Sequence, residues 1–191
     1  MLPTSITAYR KELNQCFEEL DEAKLQAALI HIMSRGRRIF ILGNGGSAAT
    51  ASHMAVDLAK IDVIGYPRLQ VISLTDNLGL TTAIANDISY TEIFTEQLKN
   101  LVSYKDIVIA ISVSGNSPNV LSAARYAKKR GAKVIGFIGF NGGNLKELVD
   151  VDITVSSKNY GVVEDFHLSL NHIISQFIKR FREKDEAWHV L

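Results

Sequence analysis

Two short runs concentrate the hydroxyl and glycine chemistry of this chain: Gly43-Asn44-Gly45-Gly46-Ser47 and Ser112-Val113-Ser114-Gly115-Asn116-Ser117. Each follows an apolar run that reads as a β-strand, residues 38–42 and 106–111, and each leads into a helical pattern. A helix N-terminus presents unpaired backbone N–H groups and the positive end of its dipole, and serine hydroxyls beside it add donors without adding charge. Each turn is therefore suited to an anion, and two of them on neighbouring parallel strands would meet at one crevice. The expected ligand is a phosphorylated small molecule. Hydrogen bonds to a charged group contribute about 1.5–3 kcal/mol each, so a few hydroxyls and two helix ends can hold a phosphate monoester without a lysine and still release it.

Two blander readings compete. Gly43-Asn44-Gly45-Gly46-Ser47-Ala48 also fits the dinucleotide fingerprint G-x-G-x-x-A after a first strand, with Asp76 near the end of the second strand as the acidic partner. That fold does not require a second serine-rich turn, which argues against it. Alternatively, Ser117 only caps its helix, and Ser112 and Ser114 are ordinary turn residues.

The elements that must position these turns are legible from periodicity. Apolar, β-branched runs at 38–42, 69–74, 107–111, 133–138 and 151–155 predict five strands. Helical patterns lie between them at 48–60, 77–85, 90–101, 118–129 and, briefly, 145–149. An amphipathic stretch at 6–34, broken near Asp21, precedes the first strand. A long helix at 163–181 with a broad apolar face closes the chain. Strands that alternate with helices and are apolar on both faces predict an α/β fold with a parallel sheet covered on both sides. The terminal helices exceed what five strands need for cover, which predicts an oligomer.

Composition narrows the class. With 191 residues and 47% hydrophobic content, the chain suits a single domain over residues 1–191. Twenty-one Lys and Arg against 20 Asp and Glu leave a net charge of +1, so there is no electrostatic case for nucleic acid or an anionic membrane. One cysteine, Cys16, excludes an intrachain disulfide and a thiolate metal cluster, and it suits a reducing cytoplasm. The first residues lack the layout of a secretion signal, and no run reaches the length of a membrane span. Trp188 and His189, near the terminus, are expected to be disordered or to cap a neighbour's site.

GNGGSA after the first strand and SVSGNS after the third resemble the sugar isomerase (SIS) domain family, in its phosphoheptose isomerase branch. The likeness covers nearly the whole chain, including the leading helix, Thr82-Ala83-Ile84-Ala85-Asn86-Asp87, the loop 139–143 and the closing helix after Tyr160-Gly161. It implies a three-layer α-β-α sandwich of flavodoxin/Rossmann-like kind around a five-stranded parallel sheet. It also implies isomerisation of sedoheptulose 7-phosphate and homotetramers with sites between subunits. By the same resemblance, Asn44, Gly45, Ser47, Ser112, Ser114 and Ser117 would hold the phosphate, and Asp87 would contact sugar hydroxyls.

Isomerising an aldose and a ketose moves a proton between adjacent carbons through an enediol, which needs a base and a second group serving the oxygens. The family places a glutamate four residues after a histidine on the helix that follows the first glycine-rich turn; here the pair is His53 and Asp57, whose carboxylate is one methylene shorter. The family's glutamine and histidine on the closing helix match His167 and Ser175, which makes Asp57 and His167 the expected catalytic pair. A shifted alignment would bring His172 forward instead. His53, Asp57 and His167 also match positions that hold zinc in some members, so zinc is a candidate cofactor although none is required. In the plainer reading, His53 and Asp57 are a surface i,i+4 pair and His167 is the polar edge of a packed helix. The competing function is a non-catalytic SIS module that senses a phosphosugar or docks a partner.

Overall fold

The computed structural model describes residues 2–34 and 36–184. Two helices lead the chain, α1 (Leu2–Glu18) and α2 (Glu22–Met33). The break predicted near Asp21 is an N-cap: its carboxylate accepts the N–H groups of Ala23 at 3.0 Å and Lys24 at 3.1 Å. The remainder alternates as β1 (Arg38–Gly43), α3 (Gly46–Ala59), β2 (Gln70–Ser73), α4 (Leu78–Asp87), α5 (Thr95–Leu101), β3 (Ile107–Ser112), α6 (Pro118–Lys129), β4 (Lys133–Ile138), α7 (Gly143–Lys146), β5 (Val151–Thr154) and α8 (Tyr160–Lys184).

Three of the expected helices differ in extent; the short one expected at 145–149 lies at Gly143–Lys146. The helix expected at 90–101 splits into a 3-10 turn (Tyr90–Glu92) and α5, because Ile93 and Phe94 between them turn into the core. The closing helix α8 extends beyond 163–181 at both ends; apolar periodicity marks only the part of a helix that is buried. Trp188 and His189 lie outside the described residues.

The five strands are parallel in the order β2-β1-β3-β4-β5. Successive side chains on a strand point to opposite faces, which divides the core in two. Ile39, Ile41, Ile107 and Ile109 face a layer with α3 and α8, where Met54, Leu58, Phe166, Leu170 and Ile174 pack. Phe40, Leu42, Val108 and Ala110 face the other layer, with Phe94, Leu98, Val120 and Ala124. The chain runs from β1 outward to β2, then returns to build β3, β4 and β5 on the opposite side. The β1/β3 boundary is thus the topological switch point, where crevices form at the carboxyl ends of strands. The register pairs Gly43 with Ile111, which puts the first glycine of one turn beside the last apolar residue before the other.

The apolar face of α8 is wider than its buried stripe. Val163, Phe166, Leu170, Ile174 and Ile178 are buried, whereas Ile173 and Phe177 remain 37% and 44% exposed. Phe177 stacks on Phe181 at 5.8 Å between ring centroids. Among the described residues no helix is long and apolar enough to cross a membrane.

Candidate active site

The two serine-bearing turns meet at the switch point. Asn44 and Asn119, the latter in the first turn of α6, exchange reciprocal amide hydrogen bonds at 2.8 Å, Nδ2 of each donating to Oδ1 of the other. The Tyr90 hydroxyl donates to Asn44 Oδ1 at 3.1 Å and locks the same side chain from a third segment. Ser47 is buried in the first turn of α3, and Gly45 is exposed at the tip.

In the second turn, Ser112 Oγ accepts the Gly115 N–H at 3.2 Å and lies 3.3 Å from Ser117 Oγ, while Ser114 Oγ accepts the Asn116 N–H at 3.2 Å. Ser112 and Ser114 therefore do shape the turn, as the blander reading held. An accepting hydroxyl still keeps its own hydrogen to donate. Ser117 occupies the N-cap position of α6 but makes no capping hydrogen bond with its side chain, so its hydroxyl is not consumed there. Gly115 has φ +65°, and a Cβ there would stand 2.0 Å from the Gly142 carbonyl oxygen; only glycine closes this turn against the loop before α7.

Asp87 ends α4, exposed, and accepts from Asn86 Nδ2 at 2.8 Å. Its helix leads directly to Tyr90, which reaches the crevice. Glu164 is a further carboxylate at this edge: a Cβ on Gly46 would stand 2.4 Å from its carboxyl carbon and both oxygens, so the side chain lies against the first residue of α3. That is the positive end of the helix, where an acidic group is favoured.

The second constellation lies farther along α3. His53 Nε2 is 3.2 Å from Asp57 Oδ2, and His172 Nε2 is 3.6 Å from the same oxygen and 3.2 Å from His53 Nε2. Lys60 Nζ pairs with Asp57 Oδ1 at 2.7 Å, and Asn171 Nδ2 donates to Oδ2 at 2.9 Å. Burial pushes the Asp57 pKa up, but the Lys60 and Asn171 hydrogen bonds, with the charges of Lys60 and His53, outweigh it and hold the carboxyl below the usual carboxylate range. His53, Asp57, Lys60 and His172 line an open pocket of about 620 Å³ together with Ser175, Gln176 and Lys179.

His167 does not join them, which corrects the expected pair and the expected metal set. It is fully buried beside Phe137 and Phe166, and the polar group its ring meets is the Ile138 backbone. Burial pushes its pKa down to about 4, with the Ile138 backbone opposing only in part. The cause is helical phase: residues 167 and 172 are five apart on α8, about 140° around the helix, so when one faces the sheet the other faces α3's polar side. Ser175 bonds to the His172 carbonyl at 3.2 Å and carries no imidazole chemistry.

The His53, Asp57 and His172 donor atoms lie within 4.8 Å of one another and could hold a metal ion. Ligands about 2.0–2.1 Å from a tetrahedral Zn²⁺ stand roughly 3.3–3.4 Å apart. The three observed separations, 3.2, 3.2 and 3.6 Å, fit that set.

The cradle and this cluster are spaced by the helix they share. Asp57 is ten residues beyond Ser47, about 15 Å along the axis at 1.5 Å per residue. An extended seven-carbon phosphate ester reaches roughly 10 Å from phosphorus to C1. The axial rise to Asp57 therefore exceeds that reach.

Comparison with known proteins agrees with this architecture. The SIS domain profile matches residues 6–139. The phosphoheptose isomerase of Geobacter sulfurreducens is 34% identical over 184 residues, covering 92% of this chain and 96% of that protein. That of Aliarcobacter butzleri is 36% identical over 176 residues, covering 90% and 92%. Among solved structures, the phosphoheptose isomerase of Neisseria gonorrhoeae superposes with a TM-score of 0.83 at 28% identity, covering 94% of this chain and 97% of that one. The one from Francisella tularensis gives 0.86 at 26% identity, covering 94% and 96%. With the profile spanning most of its length and relatives above 30% identity matching nearly end to end, the chain belongs to the SIS domain family, in its phosphoheptose isomerase branch.

Proposed function

We propose that this chain is a phosphosugar aldose–ketose isomerase acting through an enediol, with sedoheptulose 7-phosphate as its substrate. The observation that carries the reading is the convergence of two serine-lined turns and two helix N-termini at the single switch point of the sheet. Asn44, Gly45, Ser47, Ser112, Ser114 and Ser117 hold the phosphate there, and Asp87 meets sugar hydroxyls at the rim. The relatives named phosphoheptose isomerase supply the substrate class.

Proton transfer falls to Asp57 and His172. The Asp57 carboxylate is ionised throughout the neutral range and takes the proton from the carbon beside the carbonyl. The His172 imidazole, open to the pocket, serves the two oxygens as the double bond moves between C1 and C2. Zinc held by His53, Asp57 and His172 would polarise the substrate carbonyl oxygen when bound.

The site is completed between subunits of a homo-oligomer, a tetramer by family resemblance. The 15 Å spacing along α3 supports this arrangement, and so do the exposed Ile173 and Phe177 on α8, which offer an apolar surface for a second copy. The doubly charged substrate does not cross membranes, and the lone buried thiol of Cys16 suits the reducing cytoplasm where such esters are kept.

The test is hydrogen exchange. Incubated with sedoheptulose 7-phosphate in deuterated water, the protein is expected to exchange the hydrogen on the reacting carbon, and Asp57→Asn to abolish exchange while phosphosugar binding persists. Thermal stabilisation by phosphosugars with no exchange in the wild type would instead assign the chain as a sensor.

A further inference from the structure

The Asp57 carboxylate is gripped from behind as well as flanked. Asn171 is fully buried between α3 and α8, and its Nδ2 donates to Asp57 Oδ2. An ionised carboxylate only accepts hydrogen bonds, so the amide must turn its NH₂ toward Asp57 and its Oδ1 away. That Oδ1 has no partner.

Resting on the isomerase reading, we propose that Asn171 is a positioning residue for Asp57. An aspartate carboxylate turns easily about its last torsion, whose preference is broad and twofold. Lys60, on the other oxygen, has a side chain two-thirds exposed and fixes little. The buried Asn171 amide is what keeps Oδ2 aimed at His53 and His172. Asn171 thus sits among the buried apolar residues Phe166, Leu170 and Ile174 of α8. Having no exposed surface, it acts through Asp57 and not on substrate.

The test pairs kinetics with crystallography on the full chain. Asn171→Leu, with the same branching at Cγ and no hydrogen-bond donor, is expected to lower kcat for exchange by about tenfold to a hundredfold while KM stays within about twofold, the signature of a misaimed group and not of lost binding. Asn171→Ser, too short to reach Asp57, repeats the measurement should the leucine variant fail to fold. Folded Asn171 variants with wild-type kcat would overturn the proposal. Crystal structures of the wild type and the folded Asn171 variant test the same point independently of turnover: rotation of the Asp57 carboxylate supports the proposal and an unmoved carboxylate overturns it. Absence of exchange in the wild type would defeat the isomerase reading alone, and the crystallographic comparison would then decide the positioning role.

Discussion

Lowering the pH should cost this fold stability through one side chain, His167. In the unfolded chain a histidine titrates near 6.5, whereas burial pushes this one down to about 4 in the native state. Between those values the unfolded chain binds a proton that the folded chain refuses, so stability rises with pH there. The contribution is fully present above about 6.5, is lost as the pH falls toward 4, and declines no further below it. The gap of about 2.5 units, at 1.36 kcal/mol per unit, amounts to about 3 kcal/mol in all, of which about 2 kcal/mol is spent between pH 7 and pH 5. The assay is urea unfolding of the wild type and His167→Leu at both pH values and one protein concentration, since subunit association makes stability concentration-dependent. Other titrating groups act on both proteins alike and cancel in the difference. The wild type is expected to lose about 2 kcal/mol relative to the variant on going from pH 7 to pH 5. A difference that does not change with pH would refute the argument and reopen His167 as a ring with access to solvent.

Three further outcomes test the site. Ser114→Ala should weaken phosphosugar binding by on the order of tenfold to a hundredfold by calorimetry, as expected for one hydrogen bond to a charged group, and an unchanged affinity would remove Ser114 from the cradle. Gly115→Ala puts a Cβ against the Gly142 carbonyl and a side chain at φ +65°, so a stability loss of about 1–3 kcal/mol and disappearance of the phosphosugar-induced rise in Tm are expected; a retained rise would show that the turn tolerates the group. Protein purified without a tag should carry about one zinc per chain by elemental analysis, kept in His167→Leu and lost in His172→Ala. The reverse pattern would return the metal set to His167.

Much of this architecture is legible in the sequence because it depends on local signals repeated along the chain. Apolar runs of strand length, separated by helical periodicity, specify a parallel sheet, and a parallel sheet puts the turns after adjacent strands on the same edge. Gly43–Ser47 and Ser112–Ser117 therefore share one edge by residue order, and the pairing of β1 with β3 brings them to one crevice. The partners that lock it are less visible: Tyr90 and Asn119 carry no motif, and they reach Asn44 only because α4, the 3-10 turn and α6 converge there. Asn171 does leave a trace, a polar residue inside the stripe of Phe166, Leu170 and Ile174, but an amide is not among the side chains that mark proton transfer.

The choice between the two histidines of α8 is beyond the sequence. Helical period shows that His167 and His172 face different ways, but not which of those ways looks at Asp57, because that depends on how α8 rolls against α3 and the sheet. The roll is set by burying Val163, Phe166, Leu170, Ile174 and Ile178 together, and His167 lies inside that arc while His172 lies outside it. The fold class and the chemical make-up of the two turns thus follow from residue order and short-range preference. Which histidine faces Asp57, and which amide lies behind its carboxylate, follow from the packing of two helices that are more than a hundred residues apart in the chain, where apolar burial outweighs every local preference of the polar residues it carries along.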